Sequence, residues 1–97
     1  MNYIKLRKNY LCIDNIFAIK LAKKYKTPFY CYSLSQLQNN FYNLCYTFRN
    51  VQPIICFSVK SNANLNLLKE LKKIGSGADV VSLGELLKAI KAGIHPK

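Results

Sequence analysis

Acidic residues are nearly missing from this sequence. It has four Asp plus Glu against fifteen Lys plus Arg in 97 residues, a formal net charge of +11. Tryptophan is absent, and histidine and methionine occur once each. A single histidine leaves no Ser-His-Asp set and no histidine-based metal cluster to assemble. No apolar run approaches the roughly 20 residues that span a bilayer, which excludes a transmembrane helix. The start, Met1 to Lys8, is too polar for the apolar core of a secretion signal, so a cytoplasmic location is expected. Glycine is scarce as well, and Gly75-Ser76-Gly77 lacks the Gly-Lys-Ser/Thr that a P-loop requires. None of the four cysteines (Cys12, Cys31, Cys45, Cys56) forms a Cys-x-x-Cys pair or stands at zinc spacing from His95. Free thiols are expected, with Cys31 and Cys56 buried as small hydrophobes inside apolar runs.

What the chain does have is apolar mass. Hydrophobic residues make up 51% and charged ones 20%, which excludes a disordered tail. A net charge this positive ordinarily points to nucleic acid or an anionic membrane surface. The composition argues otherwise. Lys, Asn, Ile, Tyr and Phe are abundant together while Arg occurs only twice, the set favoured by an A- and T-rich genome. The lysines form no dense block, and those near residues 20–26 and 69–73 suit helix ends. No specific nucleic-acid or membrane partner is expected. The length allows one domain at most, far short of the roughly 250 residues of a complete (β/α)8 barrel.

Along the chain, residues 1–13 read as a lead-in strand or an irregular segment. Asp14 or Asn15 is a cap candidate for a helix over about 15–25, which Thr27-Pro28 stops. Phe29 to Tyr32 reads as a short strand. Ser33 with Gln36 opens a helix over about 34–48 through a capping box, with Leu34, Leu37, Phe41, Leu44, Cys45 and Phe48 on its buried face. Ile54 to Val59 is a continuous apolar run, as in a strand covered on both faces of a parallel sheet. Leu67, Leu68, Leu71 and Ile74 mark the next helix, ended by Gly75 in a left-handed C-cap. Ala78 to Val81 reads as a strand. Ser82 with Glu85 opens a last helix bearing Leu83, Leu86, Leu87 and Ile90, ended by Gly93 and Pro96. This alternation implies α/β architecture with right-handed βαβ units around a parallel sheet.

In such folds the working face lies at the carboxyl ends of the strands. Tyr32-Ser33, Lys60-Ser61-Asn62 and Ser82 fall there. Lys60 is the informative residue. Following six residues of buried strand, its stem would start near the interior, where desolvation makes an amine nucleophilic and suits Schiff-base chemistry. A lysine that simply reaches out to solvent fits the same position. Asp79 and Glu85 could each face Lys60. Each also has a purely structural reading, Asp79 as a paired strand-end carboxylate and Glu85 as the third-position half of the Ser82 capping box.

Two blocks carry a family resemblance. Cys56-Phe-Ser-Val-Lys-Ser-Asn-Ala-Asn-Leu65 is followed by Leu71-Lys-Lys-Ile-Gly-Ser-Gly-Ala-Asp-Val-Val-Ser-Leu-Gly-Glu-Leu86 and Ala89-Ile-Lys-Ala-Gly-Ile94. In order and spacing they closely resemble the diaminopimelate decarboxylase family. These are fold-type III pyridoxal-phosphate enzymes related to ornithine and arginine decarboxylases and to alanine racemase. The resemblance extends over about residues 20–97. It implies the first βα units of a pyridoxal-phosphate-binding (β/α)8 TIM barrel of the alanine racemase type, with residues 1–26 as a lead-in and 27–97 as the start of the barrel domain.

By the same resemblance Lys60 is the Schiff-base lysine for pyridoxal 5'-phosphate, Asp79 an acidic residue near the cofactor and Glu85 a carboxylate ordering its pocket. The implied reaction is loss of carbon dioxide from meso-diaminopimelate to give L-lysine, in an enzyme that works as a homodimer. The chain departs from the family's usual residues at Phe57-Ser58, Ser61 and Leu83-Gly84. It also lacks the family's cofactor-stacking histidine, its glycine-rich phosphate loop, the acid that faces the pyridine nitrogen and the carboxyl-terminal β domain. An inactive amino-terminal fragment of the enzyme is therefore expected. Related ornithine or arginine decarboxylation, or a non-enzymatic remnant of a decaying gene, are the alternatives.

Overall fold

A computed structural model describes residues 3–96. The chain divides into two compact units, Met1–Asn39 and Asn40–Lys97.

The first unit opens with a three-stranded antiparallel meander of β1 (Ile4–Arg7), β2 (Tyr10–Ile13) and β3 (Ile16–Phe17). Two-residue loops join the strands, with Arg7 opposite Tyr10 and Ile13 opposite Ile16. Lys8, Asn9, Asp14 and Asn15 all have positive φ, which marks both loops as type I′ turns whose twist matches the strands. This corrects the expected role of Asp14 and Asn15. They turn a hairpin and cap no helix, and the helix starts three residues later as α1 (Ala18–Tyr25), with no side-chain cap. The register places Ile4, Leu6, Leu11, Ile13 and Ile16 on one face, where Leu6 is 71% exposed. α1 contacts β2 and β3, and Cys12, on the other face, is fully buried.

Lys26 takes φ +61, so α1 stops just before Thr27-Pro28, where it was expected to stop. Residues 29–32 belong to no ladder among the described residues, which corrects the expected strand. Tyr30 and Tyr32, two apart, stack at 6.4 Å with their rings 14° from parallel, as an extended backbone dictates. The extended segment has no partner strand to make it part of a sheet. α2 (Leu34–Thr47) starts at the expected cap: the Gln36 N–H donates to Ser33 Oγ at 3.0 Å, and the Ser33 hydroxyl donates to Asp14 Oδ1 at 2.6 Å. Of its expected apolar face only Phe41 is buried.

The second unit carries the βαβ element. β4 (Cys56–Ser58) and β5 (Gly77–Asp79) pair in parallel, with Cys56 opposite Gly77, Phe57 opposite Ala78 and Ser58 opposite Asp79. α3 (Leu65–Lys73) connects them and buries Leu67, Leu68 and Leu71. Asn64 caps it by accepting from the Asn66 and Leu67 N–H groups at 2.9 and 3.3 Å. α4 (Leu83–Lys91) follows β5. Both helices end in a Schellman motif. At Gly75 (φ +96), the Ser76 N–H reaches Leu71 O and the Gly75 N–H reaches Lys72 O; at Gly93 (φ +93), Ile94 and Gly93 reach Ala89 O and Ile90 O.

The strand expected over 54–59 is shorter and less covered than its sequence suggests. Ile54 is 87% exposed and Cys56 is exposed, and among the described residues β5 is the one strand that pairs with β4. Cys31 is exposed too, so both thiols expected to be buried face solvent, and Cys12 is the fully buried one. Hollows of about 390 and 440 Å³ open beside the strands and share Ile54, Gly77, Ile94 and His95 as lining. On α4, Ala89 is buried while Leu83, Leu87 and Ile90 stay exposed.

Candidate active site

The candidate site is built at the carboxyl ends of β4 and β5. After Ser58 the backbone leaves the ladder and makes a 3₁₀ turn over Val59–Ser61. Val59 is fully buried and anchors the turn, while the next residue, Lys60, is exposed. The Asn62 N–H donates to Val59 O at 3.0 Å and the Ser61 hydroxyl donates to Ser58 O at 2.7 Å, which closes the turn from both sides. The interior position expected for the Lys60 stem is thereby corrected. The strand ends one residue early, and the turn gives the inward place to Val59.

Asp79 is the last residue of β5 and lies directly across from Ser58. The Ser58 hydroxyl donates to Asp79 Oδ2 at 3.3 Å. Three residues on, Ser82 caps α4, and its Oγ accepts from the Glu85 N–H at 3.2 Å. The Glu85 carboxylate answers by accepting from the Val81 N–H and from the Ser82 hydroxyl, both at 3.3 Å. α4 also contacts the turn that carries Lys60. The three residues singled out from sequence therefore share one end of the sheet. Lys60 follows the first strand, Asp79 closes the second and Glu85 stands in the first turn of the next helix. Two of the chain's four acidic residues are gathered there.

Ser58, whose hydroxyl reaches Asp79, was noted in the sequence only as a departure from the family's usual residue. Its signal in the sequence was a single hydroxyl inside the apolar run Ile54 to Val59. Gly75 ends a helix as expected, while Gly77, expected in the tight turn before the strand, is the first residue of β5. No group of three or more His, Cys, Asp or Glu gathers as metal donors among the described residues.

Lys60 enters no ion pair among the described residues, and the one that forms there joins Lys73 to Glu70 at 2.8 Å. An exposed lysine without a competing carboxylate is accessible to an aldehyde-bearing molecule, though its nitrogen attacks only after giving up the ammonium proton.

Comparison with known proteins decides the family. The model of the pyridoxal-dependent decarboxylases, for their pyridoxal binding domain, matches residues 34–97. The chain belongs to the pyridoxal-dependent decarboxylases. It is 44% identical over 77 residues to a diaminopimelate decarboxylase of Helicobacter pylori, covering 79% of this chain and 19% of that one. With the diaminopimelate decarboxylase of Aquifex aeolicus it shares 39% identity over 97 residues, covering 98% of this chain and 22% of the relative. The solved diaminopimelate decarboxylase of M. jannaschii in complex with L-lysine superposes with a TM-score of 0.91 at 33% identity, covering 96% of this chain and 23% of that one. The α/β fold expected from the sequence is thus that of a portion of these decarboxylases. The chain spans about a fifth of the length of the relatives it matches.

Proposed function

We propose that this chain is the amino-terminal part of a diaminopimelate decarboxylase, in which Lys60 holds pyridoxal 5'-phosphate for decarboxylation of meso-diaminopimelate to L-lysine. One observation carries the reading: Lys60 presents a free amine on a closed turn at the carboxyl end of β4, beside the strand that Asp79 closes. Relatives of that name at up to 44% identity support it, as does the M. jannaschii enzyme seen with L-lysine, the product of this reaction.

When bound, pyridoxal phosphate supplies the electron sink that lets a carboxylate leave as carbon dioxide. Lys60 Nζ anchors the group at the sheet end. Asp79 stands next to that turn, and its Oδ1 has no donor among the described residues. Glu85 acts through the backbone. By capping α4 it fixes the chain just beyond Asp79, so the pocket wall keeps its shape. The substrate is a small amino acid, and the working enzyme is a homodimer. We place it in the cytoplasm, where four unpaired cysteines are stable. Among the described residues no helix is long and apolar enough to cross a membrane.

The test is substrate profiling of the protein purified from its own source and loaded with pyridoxal phosphate. Carbon dioxide release from meso-diaminopimelate, with none from ornithine or arginine, is expected. Release from ornithine or arginine alone would replace this substrate with the related one. Release from none of the three would overturn the reading.

A further inference from the structure

We infer that Ser58 is a positioning residue for the Lys60 site, its hydroxyl holding the Asp79 carboxylate in one orientation beside the lysine turn; the inference rests on the proposed function. The ladder fixes this geometry. In a parallel pair, residues in register project to the same face, and Ser58 is in register with Asp79 at a strand separation of about 4.8 Å. The hydroxyl donates to Oδ2 at 3.3 Å, a long bond that biases the carboxylate torsion and leaves Oδ1 as the oxygen without a donor among the described residues.

Ser58 is tied to the lysine turn by its other polar atom. Its carbonyl accepts the Ser61 hydroxyl at 2.7 Å, so the residue that orients Asp79 also closes the turn holding Lys60. An aliphatic residue at position 58 would keep the ladder and the Ser61 bond. It would lose only the restraint on Asp79. Ser58 is half-buried but Asp79 and the bond between them are exposed, so water competes for the carboxylate and the expected effect is small. The hydroxyl does not touch the reacting nitrogen, and its effect passes through Asp79.

The experiment incubates the 97-residue chain with pyridoxal 5'-phosphate, reduces with borohydride and maps the modified lysines by mass spectrometry. Lys60 Nζ bonds to the aldehyde carbon, the aldehyde oxygen leaves as water, and hydride saturates the resulting carbon–nitrogen bond. Exposed Lys20, Lys23 and Lys24 on α1 serve as internal references. In parallel, the Asp79 side-chain carboxyl carbon is followed by NMR.

In Ser58→Ala the Asp79 signal should move, and Lys60 labelling relative to the references should fall about three-fold, which corresponds to about 0.7 kcal/mol. Ser58→Thr, which keeps the hydroxyl, should restore both. Asp79→Asn should lower Lys60 labelling similarly, and the Ser58→Ala/Asp79→Asn double variant should fall no further. An unmoved Asp79 signal, unchanged labelling in Ser58→Ala or additive losses in the double variant would each overturn the role of Ser58. A wild-type chain with no preference for Lys60 would overturn the proposed function along with it. Normal labelling of the references together with an unchanged far-UV spectrum separates these outcomes from misfolding.

Discussion

Glu85 can be assigned by its effect on helix stability. Its backbone N–H and its carboxylate make three contacts with Val81 and Ser82 at 3.2–3.3 Å. These distances exceed the usual 2.9–3.0 Å for N–H to oxygen, so the cap should sit in the lower half of its range. Ser82→Ala should then cost about 0.5–1 kcal/mol. Glu85→Ala loses the acceptor for Val81 and a negative charge at the helix N-terminus, for a similar total of about 0.5–1 kcal/mol. Because the two residues share the same contacts, the double variant should cost less than the sum by about 0.5 kcal/mol. Glu85→Gln keeps an acceptor and gives up the charge, at about 0.3–0.5 kcal/mol. Urea unfolding of the five proteins, followed by far-UV circular dichroism, measures all four changes. Additivity of Ser82→Ala and Glu85→Ala would refute the cap, leaving the Glu85 carboxylate free for another task.

Three further outcomes follow from the same structure. Leu68 is fully buried under the sheet unit, so Leu68→Ala should cost about 3 kcal/mol, read as a lowered urea midpoint with an unchanged slope. Gly75 has φ +96 and open space where a Cβ would stand, so Gly75→Ala should cost about 1–2 kcal/mol from backbone strain alone, and a loss under 0.3 kcal/mol in the same titration would contradict the strain. With a thiol-specific reagent, Cys31 and Cys56 should react at once and Cys12 only on unfolding; a fast Cys12 would deny its burial against α1.

The sequence announced the second unit well. Ser82 and Asn64 are caps because their side chains reach N–H groups two or three residues on, a local rule that needs no tertiary context. Gly75 and Gly93 end helices because only glycine takes their φ cheaply, again a local matter. Lys60, Asp79 and Glu85 stand at the same end of the sheet because βα units place every strand end on one side. What failed was whatever depends on neighbours. Asp14 and Asn15 have the chemistry of a cap and of a turn alike, and the register of β2 with β3 chose the turn. Lys8-Asn9 lacks the glycine that usually marks such a hairpin, so its positive φ values were not legible. Residues 29–32 are extended, as their aromatics suggest, yet a strand needs a partner and composition cannot supply one. The burial of Cys31, Cys56 and Lys60 was overestimated for the same reason: apolar neighbours in sequence do not cover a side chain unless a second layer packs on it.

The most direct test of the account is where pyridoxal phosphate becomes fixed on the chain. After borohydride reduction and peptide mapping, the account predicts that Lys60 carries the phosphopyridoxyl group well ahead of the other lysines, and that Lys60→Arg abolishes this selective site without unfolding the protein. Label spread evenly over the exposed lysines, with Lys60 no different from Lys20 or Lys24, would contradict it.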